Sequence, residues 1–117
     1  QIEWMCRRFA DRPNVVVSGC DVPYEEETWA EFGLGRVQTR GVKKCVRCPN
    51  IQIDQKSGAF DGREPTKTLL AYRRVAVETG TKKEAKTWFG INANHQSNGI
   101  LVVGDPVVIT RFADIPF

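Results

Sequence analysis

The sequence has 117 residues, which suits one domain with a modest hydrophobic core. Hydrophobic residues make up 41% and charged residues 26%, so disordered and collagen-like chains are excluded. The formal net charge is +3, and no run of Lys and Arg alternates with aromatic residues, so nucleic acid is not indicated as a partner. No apolar run approaches the roughly 18 residues that cross a bilayer, no signal-peptide pattern is present, and no membrane contact is indicated. Because the sequence opens with Gln1 rather than Met, these absences say little about location.

The first half of the chain is predicted to be mainly extended. Three valines at 15–17 lie between turn-forming residues and predict a buried strand. Residues 25–32 begin with acidic side chains and predict one short helical turn, with Trp29 and Phe32 on its inner face. Residues 36–44 are predicted to be extended.

The middle of the chain contains the clearest helix. The alternation of Ile51 and Ile53 predicts an extended segment that ends at a turn over residues 55–58. The helix is predicted to begin at Pro65 and to continue to residue 73, with Leu69 on its apolar face.

The last third of the chain is predicted to return to strands. Segments 100–103 and 107–109 flank a turn over residues 104–106 and predict a hairpin. Residues 55–64 and 93–99 are predicted to be loops. Short strands with one helix predict a mainly β fold, a β-barrel with one or two short helices.

Four cysteines are present, and the most informative pair is Cys45-Val46-Arg47-Cys48. A disulfide framework is disfavoured because the chain can build a core and shows no secretory context. A structural zinc site would need a second close pair, but Cys6 and Cys20 are far apart in sequence and His95 is the single histidine.

Three other interpretations of this pair stay open from the residues alone. A redox dithiol would need a helix N-terminus, whereas residues 49–53 are predicted to be extended. Two small buried thiols are a further possibility. Lys43, Lys44 and Arg47 place positive charge near Cys48, which favours the metal-binding thiolate. Because Arg binds phosphate bidentately, the segment also suits a metal–organophosphate cofactor.

An ordered set of motifs that covers nearly the whole chain resembles the MOSC domain family, and most of all its mitochondrial amidoxime-reducing component branch. The C-terminal domain of molybdenum cofactor sulfurases is a more distant relative. The motifs are Arg12-Pro13-Asn14-Val15-Val16-Val17-Ser18-Gly19, Cys45-Val46-Arg47-Cys48, Asp54, Ser57-Gly58, Glu64-Pro65 with Thr68-Leu69, Phe89-Gly90 and Val103-Gly104-Asp105-Pro106-Val107.

The resemblance implies specific roles for five residues toward the molybdenum cofactor (Mo-molybdopterin). Cys48, the second cysteine of the motif, would bind molybdenum directly and be the catalytic residue. Arg12 would contact the pterin, and Val46 and Arg47 would line it. The family usually has a small polar residue at the position of Val46, so only a backbone contact is expected there. Asn92 would make a further cofactor contact.

The resemblance also implies an activity. The chain would be the cofactor-binding domain, residues 1–117, of an intracellular oxidoreductase that reduces N-hydroxylated compounds, and the resemblance is compatible with a mitochondrial location. Two electrons would come from a partner protein, a b-type cytochrome with its NADH-dependent reductase, and the substrate oxygen would leave as water. Family members of this branch carry an upstream β-rich segment that completes the pocket, which we expect this chain to lack. No Ser-His-Asp arrangement or dinucleotide glycine fingerprint is present, so a hydrolase or an NAD enzyme is disfavoured.

Two rival functions remain. One is a cofactor-handling or sulfur-carrier module like that of the sulfurases, where another domain uses pyridoxal phosphate. The other is a non-catalytic zinc- or thiol-stabilised domain. Cys20 is expected to be buried structure, His95 to face water, and Asp54 either to turn the chain or to act near the metal. No disulfide is expected between Cys45 and Cys48, because a metal ligand must be a thiolate.

Overall fold

The computed structural model describes residues 2–3, 13–60, 62–79 and 82–114. For residues 2–3, 75–79 and 82–84 it describes the backbone only. The described residues fall into two compact units. The first contains Pro13–Lys44 and the stretch from Gly90 onward, and the second contains Cys45–Phe89.

Strands dominate the described part of the chain, so the prediction of a mainly β fold is confirmed. In chain order the elements are β1 (Ile2–Glu3), β2 (Val16–Val17), a 3-10 helix (Glu25–Thr28), β3 (Trp29–Leu34), β4 (Val37–Arg47), a second 3-10 helix (Pro49–Gln52), α1 (Thr66–Tyr72), β5 (Arg74–Thr79), β6 (Lys82–His95) and β7 (Val107–Phe112). β1 pairs with β2, and the other strands form one sheet in the order β5-β6-β4-β3-β7. Within the residues that the structure describes, β5 and β7 are open edges, so the predicted closed barrel is not formed there.

The core of the first unit is built on β3. Trp29, Phe32 and Leu34 are buried together, and the rings of Trp29 and Phe32 lie 5.4 Å apart between centroids. Their packing partners are the half-buried residues Val15, Val17, Ile91, Val107 and Ile109. The predicted helix over residues 25–32 is wrong beyond Thr28, where β3 begins. Two shifts in the register of β3 against β7, between Trp29 and Phe32, interrupt the regular alternation of side chains between the two faces of β3. Trp29 and Phe32 can therefore lie in one core although they are three residues apart.

Other elements of the first unit differ from the prediction in extent. The extended segment at 36–44 is confirmed and continues to Arg47. The valines at 15–17 form only a two-residue strand and are half-buried rather than buried. The predicted hairpin is wrong: β7 pairs with β3, and residues 100–103 form no strand and are exposed. The loop predicted over 93–99 begins later, because β6 runs to His95.

The second unit contains the helix. α1 follows Pro65 as predicted, buries Leu69, and contacts the 3-10 helix Pro49–Gln52, which buries Ile51. The prediction that residues 49–52 are extended is therefore wrong, because they form a single 3-10 turn that buries Ile51.

The turn over residues 55–58 is confirmed, with Gly58 at a φ of +71°. β5 and the start of β6 were not predicted: β6 opens with Lys-Lys-Glu-Ala-Lys, residues with little strand preference, and its antiparallel pairing with β5 overrides that preference.

Replacement of Phe32 by alanine tests the β3 core. Phe32 is 4% exposed, so Phe32→Ala should lower the free energy of unfolding by about 3–5 kcal/mol. Phe60, at 61% exposure, is the matched control, and Phe60→Ala should change the free energy of unfolding by no more than about 0.5 kcal/mol. Denaturant unfolding of both variants measures the difference, and equal losses would contradict this description of the core.

Candidate functional site

The Cys-x-x-Cys pair lies where β4 ends. Arg47 is the last residue of β4, and Cys48 precedes the 3-10 helix Pro49–Gln52 with an extended backbone, φ −87° and ψ 165°. The Ile51 amide donates to the Cys48 carbonyl at 3.4 Å, which begins the 3-10 turn. Cys48 is exposed and Cys45 is half-buried, and both are free thiols. A free thiol at an exposed strand end is accessible to a ligand.

Arg47 is tied to β6 by its side chain. Its Nε donates to the backbone carbonyl of Phe89 at 2.9 Å, and the residue is half-buried. Strand alternation places Cys45 and Arg47 on one face of β4 and the exposed Val46 on the other. The roles of Val46 and Arg47 toward the cofactor stay predictions. The Phe89 acceptor was not predicted, because a backbone carbonyl has no sequence signature.

Lys44 has a carboxylate partner that sequence reasoning missed. Its Nζ lies 3.1 Å from Glu27 Oε2, with the side chains 16% and 7% exposed. Burial in the first unit makes this ion pair part of the fold, because a buried charge must be compensated. The acidic run at residues 25–27 was the available signal, but nothing in the spacing links it to Lys44. Lys44 therefore has a structural role as the counter-ion of Glu27 in the first unit.

The other residues predicted for the site lie in different parts of the chain. Arg12 lies outside the described residues. Asn92 is exposed on β6, in the part that belongs to the first unit, and His95 is exposed at the end of that strand. Asp54 turns the chain: its Oδ1 accepts hydrogen bonds from the amides of Lys56 and Ser57, both at 2.9 Å.

Cys20 is exposed, so the prediction that it is buried structure is wrong. Partial desolvation of the thiol, followed by the negative charges of Glu25 and Glu26, raises the pKa of Cys20. The thiolate of Cys20 is therefore disfavoured, and this environment does not suit a metal ligand.

Within the described residues, no three His, Cys, Asp or Glu side chains gather into a metal-binding group. The same residues include no helix that is both long enough and apolar enough to cross a membrane. The donors present at the end of β4 are one exposed thiol and one neighbouring guanidinium. Their chemistry fits a thiophilic metal carried by an organophosphate, since a single thiolate suffices where the organic group supplies the other ligands.

Comparison with known proteins gives two findings. The sequence profile of the MOSC domain matches residues 6–108. Mitochondrial amidoxime reducing component 2 of Rattus norvegicus and of Homo sapiens are each 38% identical to the chain over 96 residues, 82% of the chain and 28% of the relative. Mitochondrial amidoxime-reducing component 1 of Homo sapiens is 36% identical over 98 residues, 84% of the chain and 29% of the relative. The chain thus spans less than a third of the length of these relatives.

The carboxylates beside Cys20 give a prediction about thiol reactivity. Replacing both by amides (Glu25→Gln with Glu26→Gln) removes negative charge, lowers the pKa of Cys20 and raises its thiolate fraction at pH 8. Alkylation of Cys20 by iodoacetamide, followed by mass spectrometry of its peptide, should become faster. Glu31→Gln is the control and should leave the rate unchanged. Equal rates in all three proteins would show that the carboxylates do not act on this thiol.

Proposed function

Because the chain belongs to the MOSC domain family, we propose that it binds the molybdenum cofactor as part of an oxidoreductase that reduces N-hydroxylated compounds. The observation that carries the proposal is the exposed free thiol of Cys48 directly after Arg47, whose side chain is anchored on β6. The names of the relatives identify amidoximes, which are N-hydroxylated, as what those proteins reduce.

Cys48 is the proposed metal ligand. It is exposed at the end of β4, whereas Cys45 is half-buried within the strand. A thiolate suits molybdenum because molybdenum is a thiophilic metal. When bound, the cofactor supplies the two-electron redox chemistry. The chain's own task is to fix the metal through one sulfur atom and to orient the organic part.

Arg47 is the proposed phosphate-binding residue of the described part of the site. A guanidinium is always charged and presents N–H donors in a planar fork that matches a phosphate. The hydrogen bond to Phe89 fixes where that fork lies. Arg12, Asn92 and the backbone of Val46 remain proposed cofactor contacts.

The partner and the location are proposed from the family resemblance. We propose a protein electron donor, a b-type cytochrome with its NADH-dependent reductase, and a small N-hydroxylated substrate. The relatives are named as mitochondrial proteins, and we propose the same compartment for the full-length protein.

Replacement of each motif cysteine tests the metal ligand. Elemental analysis of the full-length protein should find molybdenum rather than zinc, and amidoxime reduction should accompany it. Cys48→Ala should remove the molybdenum, because the thiolate is its bond to the chain, whereas Cys45→Ala should retain most of it. A Cys48→Ala protein with the parent's molybdenum content would refute the assignment, and zinc in place of molybdenum would favour the thiol-stabilised alternative.

Replacement of Arg47 tests the phosphate contact. Arg47→Ala should weaken cofactor binding about tenfold, because a charge-assisted hydrogen bond contributes about 1.5–3 kcal/mol. Arg40→Ala removes an exposed arginine from the same strand and is the control. Molybdenum and pterin retained after gel filtration measure the effect. If Arg47→Ala and Arg40→Ala retain equal amounts, Arg47 does not contact the cofactor.

A further inference from the structure

The exposed charge of the second unit has a single sign. Every charged side chain that the structure describes as exposed in this unit is basic, namely Lys56, Arg63, Lys67 and Arg74. Within the described part of the chain, no ion pair joins any of them to a carboxylate. On the described surface of this unit, a partner therefore meets positive charge.

The described carboxylates of the same unit, Asp54 and Glu64, serve the local fold. Both are half-buried. Asp54 accepts hydrogen bonds from two amides of its own turn, and Glu64 Oε2 accepts from the amide and the hydroxyl of Thr68 at 3.2 and 2.8 Å. These hydrogen bonds direct the negative charge into the chain and leave the basic side chains at the surface.

α1 exposes one side of the helix to solvent. Leu69 is buried, and the exposed residues recur at the spacing of one helical side: Lys67, Thr68, Ala71 and Tyr72. The amide of Lys67 donates to the carbonyl of Arg63 at 2.8 Å, so Arg63 lies one helical turn before Lys67 and on the same side. Tyr72 is 60% exposed. We call Arg63, Lys67 and Tyr72 the α1 face.

The charge of the α1 face is not explained by the stability of the helix. Lys67 lies in the first turn of α1, where no acidic residue is present and where the backbone N–H groups carry partial positive charge. A cation at this end disfavours the helix, whereas a negatively charged partner would be attracted to it. Arg and Tyr are also the residue types enriched at protein interfaces.

The α1 face belongs to the unit that carries the proposed metal ligand. α1 contacts the 3-10 helix Pro49–Gln52, which begins directly after Cys48. An α-helix with its side chains is about 10–12 Å across, so a protein on the outer side of α1 lies about one helix diameter from this turn. The rate of electron transfer between two redox centres falls steeply with distance, so an electron donor must dock close to the metal.

We propose that the α1 face is the docking surface for the electron-donor protein, which binds it through an acidic surface of its own. This inference rests on the proposed function, which requires such a donor. Electron-transfer encounters bury little surface and form by electrostatic steering, which suits a helix of seven residues flanked by basic side chains. Each amidoxime takes two electrons, from two reduced b-type cytochromes, and two protons, and leaves as the amidine and water.

A reversal of charge on the α1 face tests the docking. In the full-length protein, Arg63→Glu with Lys67→Glu should slow association with a soluble b-type cytochrome domain of net negative charge at least about tenfold at low ionic strength. The difference should vanish at about 1 M salt, where charges are screened. Arg36→Glu with Arg40→Glu changes the net charge equally at exposed residues of the first unit and is the matched control. Equal association rates in the two double variants overturn the proposal.

The reversal is compatible with the fold of α1, because a glutamate at position 67 suits the N-terminal end of a helix. Circular dichroism checks this. Arg63→Gln with Lys67→Gln removes the charge without reversing it and should slow association by a smaller factor. It serves as the test if the reversed variant does not fold, and an association rate equal to that of the parent would then contradict the proposal.

Anionic vesicles test the other class of negatively charged partner. A helix that binds a membrane surface inserts several large apolar side chains, whereas Tyr72 is the one that is exposed within the described residues of α1. Vesicles of phosphatidylserine and phosphatidylcholine should therefore bind both double variants equally. Loss of vesicle binding confined to Arg63→Glu with Lys67→Glu, with unchanged cytochrome association, would assign the α1 face to a membrane and overturn the proposal.

A small reductant distinguishes failure of this inference from failure of the proposed function. Reduced methyl viologen needs no docking surface, so with it the parent and Arg63→Glu with Lys67→Glu should reduce an amidoxime at equal rates. With NADH, the reductase and the cytochrome, the KM for the cytochrome should rise at least about tenfold in the reversed variant. Absence of amidoxime reduction in the parent with viologen would refute the proposed function. An equal KM in parent and variant, or an equal loss with both reductants, overturns this inference alone.

Discussion

The antiparallel pairing of β3 with β4 is the constraint on which the first unit depends. Leu34 lies opposite Val37 and Glu31 opposite Arg40, so the buried and exposed faces of β4 are set by the core of the first unit. Side chains alternate with a period of two, and a slip of one residue would exchange the faces along the strand. Val37 and Thr39 are thereby buried, and Gln38 and Arg40 are exposed.

The basic run at residues 40–47 is divided among different roles by this strand. Arg40 is exposed, Lys44 is held by Glu27 in a mostly buried ion pair, and Arg47 donates to the Phe89 carbonyl. Removing one member of a buried pair leaves an uncompensated charge and typically costs about 3–5 kcal/mol. The positive charge of Lys44 therefore serves the fold of the first unit.

The local predictions that succeeded rest on strong chemical signals. Pro65 with the following Leu69 predicted α1, and the β-rich pattern predicted the fold class. The ordered set of short motifs, including the one around Cys48, identified the family. The predictions that failed concern apolar segments whose partners are distant. The spacing of two residues between Ile51 and Ile53 is typical of a strand, yet this segment forms a 3-10 turn that buries Ile51 within the second unit.

The sequence by itself determined the fold class, the family, the helix at Pro65 and the thiol–guanidinium pair of Cys48 and Arg47. These depend on local residue chemistry, which a single chain displays directly. Only the tertiary structure decided that β7 pairs with β3, that Lys44 meets Glu27 and that Arg47 binds the Phe89 carbonyl. Lys44 and Glu27 are 17 positions apart in sequence, and Arg47 and Phe89 are 42 apart. The Glu31–Arg111 ion pair, which links β3 to β7, joins residues 80 positions apart. Such pairings are selected by the packing of the whole sheet, and a backbone carbonyl or a bulge leaves little trace in residue type.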